Sequence, residues 1–169
     1  MKLLSGTIAA VACSIAWLGL ASQAEAHTVY VPTDGGLVPI EDGEAQDPVE
    51  GPWTEPRGAA ITPDGKKLYV ADRSAGTIYA IDTRSHEILA QIPGPINAHD
   101  IAISPRGGLA YVASPDYGVW AIDTSEDKLL EEPVKAGYLP FGVVFAPDGE
   151  RAYVANERDI SVIDTETHK

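Results

Sequence analysis

Residues suited to binding or catalysis occur at one equivalent position in three similar segments of this chain. Arg57, His99 and Phe141 follow one another at intervals of 42 residues. A neutral imidazole at His99 could ligate a metal or haem iron, or act as a general base with Asp100 next to it in sequence. Because no second ligand stands at metal-binding spacing from His99, the sequence favours the alternative of a half-buried loop histidine bonded to a carbonyl.

Further candidate side chains lie in loops that we expect to share a face with His99. The candidate ligand-binding residues are Arg57, Asp72, His99, Asp100, Asp116, Phe141 and Asn156. No residue is assigned a catalytic role, since the sequence has no Gly-x-Ser-x-Gly, His-Glu-x-x-His, Gly-x-x-x-x-Gly-Lys or Gly-x-Gly-x-x-Gly motif. These observations favour a binding module over an enzyme and leave any cofactor unassigned.

The other histidines are weaker candidates for metal binding or catalysis. His27 would become the first residue after leader cleavage, and its amine and imidazole together could chelate Cu(II) or Ni(II). The alternative is a frayed terminus with no metal. His86 and His168 stand at equivalent turn positions and are predicted to be solvated surface residues.

The first 26 residues have the pattern of a signal peptide. Lys2 precedes an apolar run from Leu3 to Leu20, and residues 24–26 supply the small-x-small site that a signal peptidase recognises. A membrane anchor is the alternative, because the run is long enough to span a bilayer. We expect cleavage after Ala26, a periplasmic or secreted protein, and no transmembrane anchor after cleavage. No cysteine follows Cys13, which excludes disulfides and covalently attached haem.

The charge of the chain limits its partners. Lys and Arg number 12 against 25 Asp and Glu, giving a formal net charge of −13 in 169 residues. No cluster of basic residues is present to attract phosphate groups. We therefore expect no nucleic-acid partner.

Two motifs repeat in phase through three copies. The first motif reads ITPDGKKLYVA at 61–71, ISPRGGLAYVA at 103–113 and FAPDGERAYVA at 145–155. The second reads AIDT at 80–83, AIDT at 121–124 and VIDT at 162–165. Within the first copy, short apolar or alternating runs at 57–62, 67–71, 77–82 and 87–92 predict four strands separated by turns. A four-stranded repeat of this length predicts an all-β protein made of antiparallel β-propeller blades. The aspartates of both motifs are predicted to form turns rather than a site.

The repeats resemble the YVTN-type β-propeller repeat. The resemblance rests on Pro-Asp-Gly, the Tyr-Val-Ala core and Ile-Asp-Thr, and its best local match is residues 152–156. The second copy departs from it, with Arg106 in the turn and Ser114-Pro115 after the second strand. Proteins of this group include cell-surface proteins, and the repeat is similar to those of lactonase-type and haem d1-binding propellers. The resemblance implies a fold and leaves these functions as alternatives.

The repeats divide the chain into a leader (1–26), a degenerate partial blade or N-terminal segment (27–54) and propeller repeats (55–169). The repeats span about 55–95, 96–137 and 138–169, which gives about three and a half blades and an incomplete ring. Either the chain is the N-terminal part of a longer protein, which we favour, or identical chains complete the ring by self-association through open blade edges. The sequence thus predicts an exported binding or interaction scaffold, with a protein or small-molecule ligand at the channel face.

Overall fold

A computed structural model describes residues 28–169, and these residues form strands joined by turns, with no helix among them. The predicted signal peptide and His27 lie outside the described residues. In the described part of the chain, no helix is long and apolar enough to cross a membrane.

The strands form four consecutive antiparallel sheets. The first sheet contains β1 (Val29–Thr33), β2 (Gly36–Glu41) and β3 (Glu44–Ala45). The second contains β4 (Pro56–Ile61), β5 (Lys67–Asp72), β6 (Thr77–Asp82) and β7 (Ile88–Pro93). The third contains β8 (Asp100–Ile103), β9 (Leu109–Ser114), β10 (Gly118–Asp123) and β11 (Lys128–Leu129). The fourth contains β12 (Pro140–Phe145), β13 (Arg151–Asn156) and β14 (Ile160–Asp164). The four strands predicted for the first repeat lie within one residue of β4 to β7.

The two repeated motifs form turns in the second, third and fourth sheets. In the first turn of the second sheet, Gly65 has φ +71°, a left-handed conformation that glycine adopts without a steric penalty. After the third strand, the Asp82 carboxylate accepts hydrogen bonds from the Arg84 and Ser85 amides at 2.9 and 2.8 Å. Equivalent bonds form at Asp123 and Asp164, which confirms that these aspartates stabilise turns.

The hydrophobic core lies between the sheets rather than within a single layer. The second sheet packs against the third around Tyr69, Ile78 and Val112, and the third packs against the fourth around Tyr111 and Val143. Each sheet buries both of its faces where it has a neighbour on each side. This is the packing of propeller blades, and it confirms the predicted all-β fold class.

A tyrosine hydroxyl crosses each of the three interfaces between consecutive sheets. Its partner is a side chain of the next sheet. That side chain belongs to the turn after the third strand, and its residue has a left-handed backbone conformation. The pairs are Tyr30 with His86, Tyr69 with Asp127, and Tyr111 with His168. The prediction that His86 and His168 are solvated was wrong, because both rings are half-buried against the neighbouring tyrosine. We call these three contacts the tyrosine latches.

Candidate functional site at the channel mouth

The innermost strands β4, β8 and β12 lie side by side and bring three equivalent residues into a row: Gly58, Asp100 and Gly142. A Cβ atom at Gly58 would stand only 2.9 Å from the Ile101 nitrogen, so β4 and β8 touch through their backbones. A Cβ atom at Gly142 would lie 3.7 Å from Asp100 Oδ2. Asp100 is therefore the only one of the three residues that has a side chain, and a glycine lies on each side of it.

Asp100 is held mainly by backbone amides. Its Oδ2 accepts a hydrogen bond from the Val143 amide of the fourth sheet at 2.9 Å, and its Oδ1 accepts one from Ile101 at 2.9 Å. Burial raises the pKa of Asp100 to about 6, although both hydrogen bonds act to lower it. Neither bond involves His99, so the structure shows no pairing of these two side chains.

His99 lies against Phe141, with ring centroids 5.3 Å apart and planes at 82°. Burial and the nearby Arg73 and Arg57 cations lower the pKa of His99. The lowered pKa favours the neutral form of an imidazole that contacts an aromatic ring and lies within range of two guanidinium charges. Three of the predicted site residues, Arg57, His99 and Phe141, are thus brought to one place.

Two guanidinium groups converge on Glu55, in the loop that leads into β4. The Arg57 Nη2 and Arg73 Nη1 atoms both donate to Glu55 Oε1, at 2.8 and 3.1 Å, and Ser74 Oγ donates to Oε2 at 2.6 Å. The bonds from Ser74 and Arg57, with the charge of Arg73, lower the pKa of Glu55 to about 2. The three charged side chains are about a third exposed, so a ligand could reach them.

The network continues from Arg73 to the third sheet. Arg73 Nε donates to Asn97 Oδ1 at 2.6 Å, and Asn97 Nδ2 donates to the exposed Asp116 carboxylate at 2.8 Å. A cleft of about 430 Å³ opens between these loops, and its lining consists of Glu55, Arg73, Ser74, Ile96, Asn97 and Asp116. The loops into the inner strands and those between second and third strands thus share one face. We call this face the channel mouth.

The Asp72 carboxylate and the Asn156 Nδ2 group are occupied by contacts inside the protein, whereas Asn156 Oδ1 is buried among the described residues without a hydrogen-bond partner. Asp72 is fully buried and accepts bonds from the amide and hydroxyl of Thr54, both at 2.6 Å, and from the Ala75 amide at 2.9 Å. Burial alone would raise the pKa of Asp72, but these hydrogen bonds outweigh it and lower the pKa. Asn156 Nδ2 donates to Asp159 and Ser161 at 2.6 and 2.9 Å. Both side chains hold loops of the channel mouth in place.

The structure does not test whether the candidate ligands His27 and His99 bind a metal. Between residues 28 and 169, no three His, Cys, Asp or Glu side chains are grouped to hold a metal ion. His27 lies outside the described residues.

Sequence reasoning did not single out Glu55, Arg73 or Asn97. All three lie in loops expected at the channel mouth, yet none belongs to a repeated motif. Asn97 adopts φ +59°, a left-handed conformation that asparagine tolerates well. Its residue type is therefore a weak local indication of a turn at this position. The sequence shows that Glu55 and Arg73 are charged, but their pairing could have been found only by considering the two loops together.

Comparisons with known proteins agree with this architecture. The chain is 34% identical over 87 residues to the seven-bladed β-propeller protein Rv1057 of Mycobacterium tuberculosis, a match that covers 48% of this chain and 22% of that protein. It is 31% identical over 102 residues to the protein YwhL of Bacillus subtilis, covering 60% of this chain and 22% of that protein. Its structure resembles hydrazine synthase of Kuenenia stuttgartiensis, with a TM-score of 0.74 and 21% identity, over 83% of this chain and 44% of that one.

The sheets described above are blades of a β-propeller. The structural similarity is too distant in sequence to show more than the fold. This β-propeller chain spans about a fifth of the length of the curated relatives that it matches. No known protein-family model matches it, so the comparisons leave the YVTN resemblance a prediction.

Proposed function

We propose that this chain is an exported β-propeller scaffold that binds a small anionic ligand at the channel mouth. The observation that carries the proposal is the convergence of Arg57 and Arg73 on one carboxylate oxygen of Glu55. The leader-like residues 1–26 support export to the periplasm or beyond. The net charge of −13 argues against nucleic acid as the partner.

The arginine pair already has a carboxylate bound to it. Guanidinium groups bind carboxylates through paired N–H donors, and Glu55 uses only part of the donors available here. Among the described residues, no hydrogen bond is made by Arg57 Nη1 or by Arg73 Nη2. A carboxylate-bearing ligand that enters the cleft beside Arg73 and extends towards Arg57 could bond to these free groups without displacing Glu55.

The surroundings of the pair suit a small polar ligand better than an extended one. Ser74 and Asn97 offer polar atoms in the cleft, and Ile96 offers an apolar wall. His99 and Phe141 make an edge-to-face aromatic contact, and the charges of both arginines act on His99. The cleft is shallow and mainly polar, and polar groups that converge beside an apolar wall are one feature of small-molecule binding sites.

The proposal is tested by calorimetric titration of the mature protein with citrate and, separately, with succinate. Arg57→Gln and Arg73→Gln should each weaken binding at least tenfold, since each removes a charged donor. Arg84→Gln is the matched control, because Arg84 lies in an exposed turn after β6 and should leave affinity unchanged. Glu55→Gln should strengthen binding, because it removes a negative charge that repels an anionic ligand. Equal affinity for all four variants would refute the site.

A further inference from the structure

The cleft at the channel mouth carries charges of both signs. Glu55 and Arg73 come from loops of the second sheet, and Asp116 comes from the loop between β9 and β10 of the third. Arg57 joins this group through its bonds to Glu55 Oε1. Two arginines thus stand with two carboxylates, and their charges balance. A site of this kind is complementary to a ligand that also carries both signs.

Arg73 has a free donor group on the side of Asn97. Its Nη1 atom bonds to Glu55, and its Nε atom donates to Asn97 Oδ1 at 2.6 Å. Nη2 forms the same edge of the planar guanidinium as the Nε–H group, and it makes no hydrogen bond to any described residue. A ligand carboxylate can therefore bind to Nη2 in the part of the cleft next to Asn97.

Asp116 has a free carboxylate oxygen. Its Oδ2 atom accepts a hydrogen bond from Asn97 Nδ2 at 2.8 Å, whereas no described residue donates to Oδ1. The side chain is exposed, and none of the cationic side chains between residues 28 and 169 forms an ion pair with it. Oδ1 is therefore available to accept a hydrogen bond from an ammonium group of a ligand.

Asn97 sets the distance between these two charged groups. Its amide binds Arg73 through the oxygen and Asp116 through the nitrogen, which keeps Arg73 Nε within about 8 Å of Asp116 Oδ2. The Asn97 backbone amide also donates to the Arg73 carbonyl at 2.8 Å, so the spacing is held by main chain as well. A ligand that bonds to both groups needs a carboxylate and an ammonium only a few ångströms apart, as on the α-carbon of an amino acid.

We propose that the anionic ligand of the channel mouth is a free α-amino dicarboxylate, such as aspartate or glutamate. This inference rests on the proposed function and adds the ammonium group to it. The α-carboxylate binds to Arg73 Nη2, the ammonium binds to Asp116 Oδ1, and the second carboxylate extends towards Arg57 Nη1. The methylene carbons of the ligand face Ile96, which is 54% exposed.

Asp116 makes the site selective. A dicarboxylate that has no ammonium group is attracted by the arginines but repelled by Asp116. An ammonium group on the carbon next to one carboxylate converts this repulsion into an attraction. Specificity of this kind depends as much on the penalty for the wrong ligand as on the contacts made by the right one.

The inference is tested by calorimetric titration of the mature protein with L-aspartate, L-malate and succinate. The three compounds have the same carbon chain and the same two carboxylates, and they differ in carrying an ammonium, a hydroxyl or only hydrogen at one carbon. We expect aspartate to bind at least fivefold more tightly than either of the others. Malate is the matched control for hydrogen bonding without charge, and the comparison needs no variant of the protein.

Variants of Asp116 assign the preference to its carboxylate. Asp116→Asn should abolish the preference for aspartate without weakening succinate binding, and Asp116→Lys should make succinate the tighter ligand. Asp148→Asn is the matched control, because it makes the same change in an exposed turn between β12 and β13, at the end of the sheet opposite to the channel mouth. It should leave the affinity for all three compounds unchanged.

The outcomes separate this inference from the proposed function. Equal affinity for aspartate and succinate, with binding that Arg73→Gln weakens, would overturn the inference and leave the anion site standing. A preference for aspartate that persists in Asp116→Asn would also overturn it. Absence of binding by all three compounds would refute the proposed function itself.

Discussion

The hydroxyl of Tyr111 in the third sheet lies 2.7 Å from Nδ1 of His168 in the fourth sheet. The Tyr111 ring also stacks on Phe145, with centroids 5.1 Å apart and planes at 23°. One completely buried side chain thus contributes both apolar area and a polar contact to the interface between two blades. The repeated tyrosines therefore hold consecutive blades together.

Tyr111→Ala should lower the free energy of unfolding by about 3–5 kcal/mol, because truncating a buried aromatic ring leaves a cavity. Tyr111→Phe should cost about 1 kcal/mol, the contribution of a typical hydrogen bond. Lys128→Ala, at an exposed position of β11, serves as the control and should change stability by less than about 0.5 kcal/mol. Urea denaturation followed by tryptophan fluorescence provides the measurement. An unchanged midpoint for Tyr111→Ala would show that the interface does not depend on this ring.

Lys67 and Asp127 should be strongly coupled. Lys67→Leu leaves the Asp127 carboxylate without its cation in a half-buried place, and we expect a loss of about 1–3 kcal/mol. The double variant Lys67→Leu with Asp127→His recreates the neutral pairing of the next interface and should recover at least half of that loss. A double-mutant cycle measures the coupling. Additive effects would mean that the two side chains act independently.

Asp100 should make stability depend on pH. Its pKa of about 6 in the folded protein exceeds the ordinary value of about 3.9, so the folded state holds this proton more tightly than the unfolded state does. The Asp100 contribution to stability is therefore full below about pH 4 and is lost as pH rises towards 6. Relative to the wild type, Asp100→Asn should gain about 1–3 kcal/mol between pH 4 and pH 7.

Urea denaturation of both proteins at several pH values in that range measures this gain. Asp116→Asn, which removes an exposed carboxylate of the same face, is the control and should show no such trend. A constant difference between wild type and Asp100→Asn would contradict the prediction.

Zinc should not bind at His99. The Arg57 and Arg73 cations that lower the pKa of this imidazole would repel a divalent cation as well. Calorimetric titration with ZnCl₂ at pH 7.5 should therefore give the same result for His99→Ala as for the mature wild type. Uptake of one equivalent that His99→Ala abolishes would show a metal site at the channel mouth.

Expression with the natural leader in a Gram-negative host should yield a periplasmic protein that begins at His27. The basis is the charged start, the apolar run and the small residues at 24 and 26. Mass spectrometry of the purified protein determines its first residue. Recovery of a cytoplasmic product that retains the leader would contradict this expectation.

The sequence predicted the blades because their signals are local. Pro-Asp-Gly, the alternating strands and Ile-Asp-Thr each act within a few residues, and the three copies reinforce one another. His86 and His168 were misjudged because their partners, Tyr30 and Tyr111, stand 56 and 57 residues away in sequence. The sequence of one repeat does not show which residues it contacts in the next repeat.

The channel mouth was predicted only in outline for the same reason. The loops that share this face follow from the order of strands, so His99, Arg57 and Phe141 could be grouped from their spacing. The bonds from Arg73 to Glu55 and Asn97 depend on side-chain geometry between loops 18 and 24 residues apart. Such a network has no sequence motif, and only the assembled face reveals it.

The row formed by Gly58, Asp100 and Gly142 has a consequence for how this protein can change over evolutionary time. A carboxylate fits at the middle position because both neighbours lack a side chain, and Gly58 in particular leaves no room for a Cβ atom. A substitution at Gly58 would be harmful even after Asp100→Gly, because the atoms that a Cβ atom would meet belong to the backbone of Asp100 and Ile101. Gly58 should therefore stay glycine as the sequence changes, whereas Gly142 can be replaced, because a Cβ atom there would make only an ordinary contact 3.7 Å from Asp100 Oδ2.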